Sequence, residues 1–180
     1  CSRGVSAMKE ETRRIVLPIR TERLLLRPYF EEDADAFCEY MSDGEVLRYE
    51  PYPPLTREES DEELHKRIAD PDFIAVCLPP DDDHPWGRLI GHIFFSPCAF
   101  SSWEIGWVFN RAYWKKGYAA EASAAVINAA FQGGLAHRVI AMCNPENEAS
   151  ERLMQSSWNE FKIIGRHVGY STISSAGKVW

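Results

Sequence analysis

Long apolar runs are absent from this 180-residue sequence. A helix that crosses a bilayer needs about 20 consecutive, mostly apolar residues, so we expect no membrane partner. Basic residues are also few, since 20 lysines and arginines stand against 27 aspartates and glutamates, for a formal charge of -7. Proteins that bind nucleic acid usually present a basic face. The charge therefore disfavours a nucleic-acid partner and suits a cationic one.

Cysteine and histidine patterns typical of metal or disulfide sites are missing as well. The five cysteines have no Cys-x-x-Cys spacing and their number is odd, which indicates reduced thiols and a cytoplasmic location. The five histidines show no metal-ligand spacing, so we interpret them as ordinary residues and expect no metal. A nucleotide-binding module is disfavoured too, because the sequence has neither Gly-x-Gly-x-x-Gly nor a Lys-Ser or Lys-Thr pair.

The composition and the length of the sequence indicate one folded domain. Hydrophobic residues make up 45% and charged residues 26% of the chain, as in ordinary globular proteins. The length suffices for one sizeable core but not for two ordinary domains. Residues 1–7 precede Met8, the first plausible initiator, and we expect them to be a cloning remnant or a disordered lead. A single domain is predicted over residues 8–180.

Hydrophobic periodicity predicts alternating strands and helices along this domain. Thr56 and Glu59 form a capping-box pattern at the start of one helix, and Gly133 with Gly134 ends another. Strands are predicted at 21–28, 73–78, 88–96, 102–109 and 137–143, and helices at 31–41, after Thr56, at 117–132 and from 147 to 154. The middle strands should form an antiparallel meander.

The most informative stretch is residues 113–122, which leave a predicted strand, pass through a glycine loop and enter an alanine-rich helix. Inward-pointing loop amides and a helix N-terminus with about half a positive charge together bind pyrophosphate. Gly117 can adopt backbone angles closed to other residues, and the small Ala119 and Ala120 let a ligand approach the backbone. Taken alone, the pattern also fits a plain turn before a helix.

Two further segments surround this loop in a fixed order, the strand at 103–109 and residues 138–150, which contain Asn-Pro-Glu-Asn-Glu-Ala-Ser. Together the three resemble the acetyl-coenzyme A core of the GNAT superfamily of N-acetyltransferases, and more narrowly its RimJ/RimL-like branch. The resemblance extends from about Thr21 to Met154. It implies the fold class α/β, with a single GNAT-like domain whose mixed, mostly antiparallel central sheet is flanked by helices.

The same resemblance implies an activity and a set of partners. Acetyl-coenzyme A would be the cosubstrate, and its acetyl group would pass to a primary amine by direct attack. The acceptor would be a protein N-terminal α-amine or a small-molecule amine, and the enzyme a monomer or homodimer. Acidic clusters at 58–63 and 81–83 fit an amine substrate, although they also fit ordinary solvated surfaces.

The resemblance also implies which residues of this chain bind the coenzyme. Backbone groups of the 102–109 strand would pair with the pantetheine arm, loop amides would take the pyrophosphate, and an asparagine near the last helix would help to hold the arm. These positions are Trp107, Val108, Phe109, Lys115, Lys116, Gly117, Tyr118, Ala119, Ala120 and Asn147. The two lysine side chains also fit a solvated role, and the asparagine also fits a helix N-cap.

Amine acetylation needs a group that accepts a proton, because an amine of pKa about 10 is almost wholly charged at neutral pH. Glu104 is the candidate base, since histone-type members of the superfamily place a glutamate close to this point; a solvated or ion-paired strand residue is the alternative. Many members also carry a tyrosine acid seven residues after the asparagine, where this chain has Met154. Ser150 or a water is the hypothesised substitute. The missing tyrosine leaves a non-catalytic acyl-coenzyme A sensor as the alternative function.

The sequence does not decide the role of four aromatic residues. Tyr49, Tyr52, Trp86 and Trp103 fit either the wall of an acceptor pocket or ordinary packing.

The C-terminal part departs from the family pattern. The usual Lys-x-Gly-Phe is absent after Met154, and residues 158–161 already resemble the start of the family's last strand. Either a segment is missing near Gln155, or the chain lacks a strand.

Overall fold

The computed structural model describes residues 14–99, 102–142, 144, 146–156, 162–167 and 170–174. These residues form four α-helices and eight strands, which follow in chain order. They are β1 (Ile19–Arg20), β2 (Leu25–Arg27), α1 (Ala34–Met41), α2 (Arg57–Ala69), β3 (Phe73–Cys77), β4 (Leu89–Cys98), β5 (Ser102–Phe109), α3 (Tyr118–Gln132), β6 (Arg138–Met142), α4 (Glu148–Ser156), β7 (Lys162–His167) and β8 (Tyr170–Ser174). Among the described helices, none combines the length and the apolar character that crossing a membrane requires.

One mixed sheet runs through the molecule in the strand order β1-β2-β3-β4-β5-β6-β8-β7. The strands from β1 to β5 form an antiparallel meander, β5 and β6 are parallel, and β8 pairs antiparallel with β6 and β7. The predicted α/β domain with a mixed, mostly antiparallel sheet flanked by helices is therefore confirmed.

Both faces of the sheet are covered, because side chains alternate between two hydrophobic clusters. In β3, Ile74 and Val76 join one cluster with Val126 of α3, whereas Ala75 joins the other with Phe37 of α1. Alternation with period two is what an extended strand requires when helices pack on both sides. The side that carries α1 and α2 also holds the candidate site.

Local signals account for the starts of the two longest helices. At α2, the hydroxyl of Thr56 accepts a hydrogen bond from the Glu59 amide at 3.2 Å, and the Glu59 carboxylate accepts one from the Thr56 amide at 2.8 Å. The predicted capping box is therefore confirmed. At α3, Gly117 is the N-cap residue with φ 79° and ψ 6°, a left-handed conformation that glycine adopts without a steric penalty.

Strand pairing between β5 and β6 stops part of the way along β5. The parallel register runs from Ser102 opposite Arg138 to Ile105 opposite Ala141. Beyond this point β5 continues through residues 106–109, which still pair with β4, while β6 ends at Met142. Among the described residues, the β5–β6 pairing thus ends at Ile105, beside the candidate site.

Two strands follow α4, and they form the antiparallel hairpin β7–β8. The alternative in which the chain lacks a strand is therefore wrong, and the last described strand is Tyr170–Ser174. Residues 158–161, like the predicted lead at 1–7, lie outside the described residues. A missing segment near Gln155 stays a prediction that the mass of the intact protein would check.

Candidate active site

A cavity of about 550 Å³ lies where β4 and β5 meet α2, the loop before α2 and the segment after β6. Five of the predicted catalytic and coenzyme-binding residues line it, namely Glu104, Trp107, Val108, Asn147 and Ser150. They come from β5 and from the start of α4, which the parallel β5–β6 pair brings side by side. The fold thus gathers the predicted catalytic residues and part of the predicted pantetheine site around one space.

Phe109 does not belong to this cavity lining. It lies in the hydrophobic core with 6% of its surface exposed, and its carbonyl accepts a hydrogen bond from the Trp114 indole at 2.8 Å. Trp114 thereby ties the loop that follows β5 to the end of that strand.

Glu104 is half-buried on β5, opposite Ser96 of β4 and Ile140 of β6. The next residue on the same face of β5 is Gly106, where an added Cβ would meet carbons of Phe94 only at 3.8 and 4.0 Å. A strand glycine that meets so little leaves room on the sheet surface. An acceptor group can therefore approach the Glu104 carboxylate along the floor of the cavity.

Asn147 begins α4 and uses its side-chain oxygen as a cap. Its Oδ1 accepts a hydrogen bond from the Ser150 amide at 3.1 Å, which confirms the N-cap role. The two hydrogens on its side-chain nitrogen remain able to donate to a ligand. Met154 is 3% exposed within the core and adds no acid to the site, whereas Ser150 lines the cavity.

The loop before α3 has the backbone geometry that an anion site of the predicted kind requires. Lys115 and Gly117 both have positive φ, 62° and 79°, and no side chain caps the helix at Gly117. The first hydrogen bond inside α3 runs from the Glu121 amide to the Gly117 carbonyl. The amides of residues 118–120 therefore have no acceptor within the helix, and a diphosphate fits this donor set. Both loop lysines have exposed side chains.

A clamp of three residues that sequence reasoning missed holds this loop in place. Thr21 donates to Oε1 of Glu121 at 2.5 Å, and Arg23 donates to Oε2 of Glu121 from its Nε at 2.7 Å. A third bond, 2.8 Å long, joins Nη1 of Arg23 to the Lys116 carbonyl. Burial alone would raise the pKa of Glu121, but the hydrogen bonds from Thr21 and Arg23 outweigh it and lower that pKa. The carboxylate is therefore charged at neutral pH, and the clamp is intact there.

Arg23→Ala should weaken diphosphate-ligand binding by about fivefold, because a hydrogen bond that orders the loop contributes about 1 kcal/mol. Titration calorimetry with coenzyme A measures this change. Arg152→Ala is the matched control, since it removes an exposed 2.7 Å ion pair with Glu148 on α4 and should leave affinity unchanged. Equal affinities for Arg23→Ala and the parent would show that the clamp does not order the loop.

The wall of the cavity formed by α2 and β4 carries a buried polar network. Arg67, 4% exposed, donates to Glu63 at 2.8 Å and places its guanidinium 4.2 Å from the centre of the Phe73 ring. Its Nη1 lies 3.1 Å from Nε2 of His92, whose Nδ1 lies 3.0 Å from the Tyr40 hydroxyl. Burial, followed by the charge of Arg67, lowers the pKa of His92 well below its ordinary value. His92 is therefore neutral.

Glu50 enters the cavity from the loop before α2 and is half-buried. Burial raises its pKa, while the charge of Arg67 and a hydrogen bond from Tyr52 act in the opposite direction. Sequence reasoning missed Glu50, Arg67 and His92 as cavity residues, because nothing in their spacing brings the three together.

The four aromatic residues whose role the sequence leaves undecided divide into two pairs in the structure. Tyr49 and Tyr52 line the cavity. Trp86 is 58% exposed, and Trp103 is buried against Phe95 with ring centres 4.8 Å apart.

Within the described part of the chain, no three His, Cys, Asp or Glu side chains are grouped as a metal site would require.

Comparisons with known proteins agree on one family. The family model for the acetyltransferase (GNAT) domain matches residues 23–157. The uncharacterized N-acetyltransferase YnaD of Bacillus subtilis is 39% identical over 138 residues, which cover 76% of this chain and 79% of that protein. A GNAT-family acetyltransferase structure from Bacillus anthracis aligns with a TM-score of 0.73 and 32% identity, over 87% of this chain and 95% of that one.

A more distant solved structure has the same fold. The ribosomal-protein-S5-alanine acetyltransferase of Vibrio fischeri aligns with a TM-score of 0.65 and 17% identity, over 89% of this chain and 96% of that one.

Proposed function

Since this chain belongs to the GNAT family of acetyltransferases, we propose that it takes acetyl from acetyl-coenzyme A and transfers it to a primary amine by direct attack. The observation that carries the proposal is the continuity of the site. The acid-bearing cavity, the part of β5 beyond its pairing with β6 and the uncapped N-terminus of α3 follow one another along residues 104–120.

The chain offers matching groups for each part of the donor. Amides of residues 118–120 suit the pyrophosphate, with the loop held by Arg23 and Trp114. Backbone groups of Trp107 and Val108, in the part of β5 that extends beyond the pairing with β6, are the proposed partners of the pantetheine arm, together with the side-chain amide of Asn147. When bound, acetyl-coenzyme A supplies an acetyl group activated as a thioester.

Glu104 is the proposed base. The incoming ammonium gives it one proton, which then passes to solvent, so that the nitrogen lone pair becomes free to form the new bond to the acetyl carbon. As the bond from carbon to sulfur breaks, the nitrogen gives its second proton to Glu104, which has already released the first, and the leaving sulfur gains a proton. Ser150 or a water is the proposed donor of that proton. A thiol of pKa about 8.5 leaves readily, so the core position of Met154 does not prevent the reaction.

The loop sequence at 113–122 supports placing the chain in the RimJ/RimL-like branch, and the fold shared with the Vibrio fischeri enzyme is compatible with that placement. The acceptor would then be a protein N-terminus or a small amine. The proposed location is the cytoplasm, with the enzyme a monomer or homodimer. Cys38, Cys77 and Cys98 are free thiols, as that location requires.

A panel of amines and short peptides, assayed for thiol release from acetyl-coenzyme A, tests the proposal. We expect at least one acceptor to give turnover far above the rate without acceptor. Binding of acetyl-coenzyme A without turnover of any amine or peptide would contradict the transferase proposal and favour the sensor.

A further inference from the structure

Resting on the proposed function, we propose that the acceptor carries a second cationic group and that Glu50 binds this group while the reacting amine lies at Glu104. The substrate class is thus a diamine, or an amine with a cationic side arm, rather than a simple monoamine.

The first argument is the balance of charge around the cavity. Four charged side chains line it, Glu50, Glu63, Glu104 and Arg67. The positive charge of Arg67 is paired with Glu63 at 2.8 Å, and its neighbour His92 is neutral. The charge of Arg67 and a hydrogen bond from Tyr52 also act on Glu50, but among the described lining residues the acidic side chains still outnumber the basic ones by two. Buried negative charge in excess of positive charge is costly, so a dication balances this excess, whereas a monoamine balances half of it.

The second argument is the placement of the two carboxylates on different walls. Glu104 belongs to β5, two residues before the segment 106–109 that extends beyond the pairing with β6. Glu50 belongs to the loop that connects α1 to α2, next to Pro51, and proline restricts the backbone of that loop. An acceptor that spans the cavity can therefore contact both acids with its two ends.

The third argument is the chemistry of the surface between them. Tyr52, Phe73, Phe94 and Trp107 line the same cavity. Aromatic faces attract cations and accept methylene chains. The wall therefore suits a flexible apolar linker that ends in ammonium groups.

Arg67 offers the opposite specificity, for an acceptor with a carboxylate. Two observations disfavour it, since Arg67 already donates to Glu63 and its Nη1 faces His92. A carboxylate in the cavity would also lie among three other carboxylates, which is unfavourable at short range.

Three acceptors of nearly equal length separate these possibilities: putrescine, n-pentylamine and 5-aminopentanoate end in an ammonium, a methyl and a carboxylate group. We expect kcat/KM to be highest for putrescine, by about tenfold over n-pentylamine, because a hydrogen-bonded charge pair contributes about that factor. The carboxylate compound should be the poorest. A preference for n-pentylamine or 5-aminopentanoate, or for a peptide N-terminus over putrescine, would overturn the inference.

The variant Glu50→Gln tests whether Glu50 causes the preference for putrescine. The variant should lose the preference for putrescine, because its KM for putrescine rises more than its KM for n-pentylamine. Glu45→Gln is the matched control, since it removes an exposed acid from the same connection between α1 and α2 and should keep the preference. An unchanged preference in Glu50→Gln would overturn the role of Glu50.

Stability gives a readout that does not need the reaction. Because the folded-state pKa of Glu50 is raised, its charged form is disfavoured in the folded protein, so the parent loses stability as pH rises through the range just above the ordinary glutamate pKa. Glu50→Gln should therefore melt higher than the parent at pH 7, with a gap that shrinks as pH falls below that range. Putrescine should raise the melting temperature of the parent but not of Glu50→Gln, and an equal response of both proteins would contradict the inference.

Failure of this inference is distinct from failure of the proposed function. If n-pentylamine is acetylated without any preference for putrescine, the transferase proposal stands and the dication proposal is wrong. If acetyl-coenzyme A binds and no acceptor is acetylated, the transferase proposal is wrong, and the effect of putrescine on melting still decides whether Glu50 binds a cation.

Discussion

Glu104→Gln should reduce kcat by about 10² to 10⁴ at pH 7, equivalent to about 2.7 to 5.4 kcal/mol of barrier. Glutamine keeps the size and hydrogen-bonding surface of the side chain but does not accept the proton of the ammonium. The affinity for acetyl-coenzyme A, measured by calorimetry, should stay near the parental value, because only the proton acceptor is lost.

Higher pH should partly rescue this variant, since a larger fraction of the amine then arrives neutral. Steady-state assays from neutral to alkaline pH show the rescue as a narrowing gap to the parent. Glu62→Gln, at an exposed position of α2, serves as the control and should behave like the parent. Near-parental turnover of Glu104→Gln at pH 7 would mean that Glu104 is structural and that water, or selection of the neutral amine, replaces the base.

Gly117→Val should abolish the stabilisation that acetyl-coenzyme A gives the protein. A ligand that binds only the native state adds about 2.7 kcal/mol at a hundred times its dissociation constant, which raises the melting temperature of a domain of this size by roughly 5 to 10 °C. Valine is strongly disfavoured at φ 79°, so the loop has to rearrange and its amides lose their common direction.

Gly134→Val separates loss of binding from loss of stability. Gly134 also has a positive φ, 64°, and lies beyond the opposite end of α3, where an added Cβ meets nothing within 4 Å. Both variants should lose about 1–3 kcal/mol of stability through backbone strain, but only Gly117→Val should lose the ligand response. A normal ligand-induced shift in Gly117→Val, or no shift in the parent, would contradict the proposal that the loop before α3 binds the diphosphate.

Sequence signals of short range predicted most of the elements. The capping box at Thr56 and Glu59 and the glycine before α3 act within one helical turn, so the residues that cause them are adjacent in the sequence. The first strand was less well predicted: the segment at 21–28 contains only β2, and β1 precedes it. So short a strand depends on its neighbour in the sheet more than on its own pattern.

Contacts between distant segments escaped prediction for the same physical reason. Thr21 and Glu121 are 100 residues apart, and periodicity reports which face of an element is buried, not which element covers it. Glu50, Arg67 and His92 likewise come from a loop, a helix and a strand, each with an ordinary local pattern. These residues could be recognised as members of one cavity only in the tertiary structure, where the loop, the helix and the strand lie next to one another.

The sequence by itself determined the class of fold, the position of the glycine loop before α3 and the likeness to one acetyltransferase family, because each depends on local backbone chemistry or on motifs in a fixed order. The tertiary structure decided which side chains share the cavity and which of its carboxylates pairs with Arg67. The reason is that pairing of charge depends on distance in space, and the fold brings together residues that are far apart along the chain.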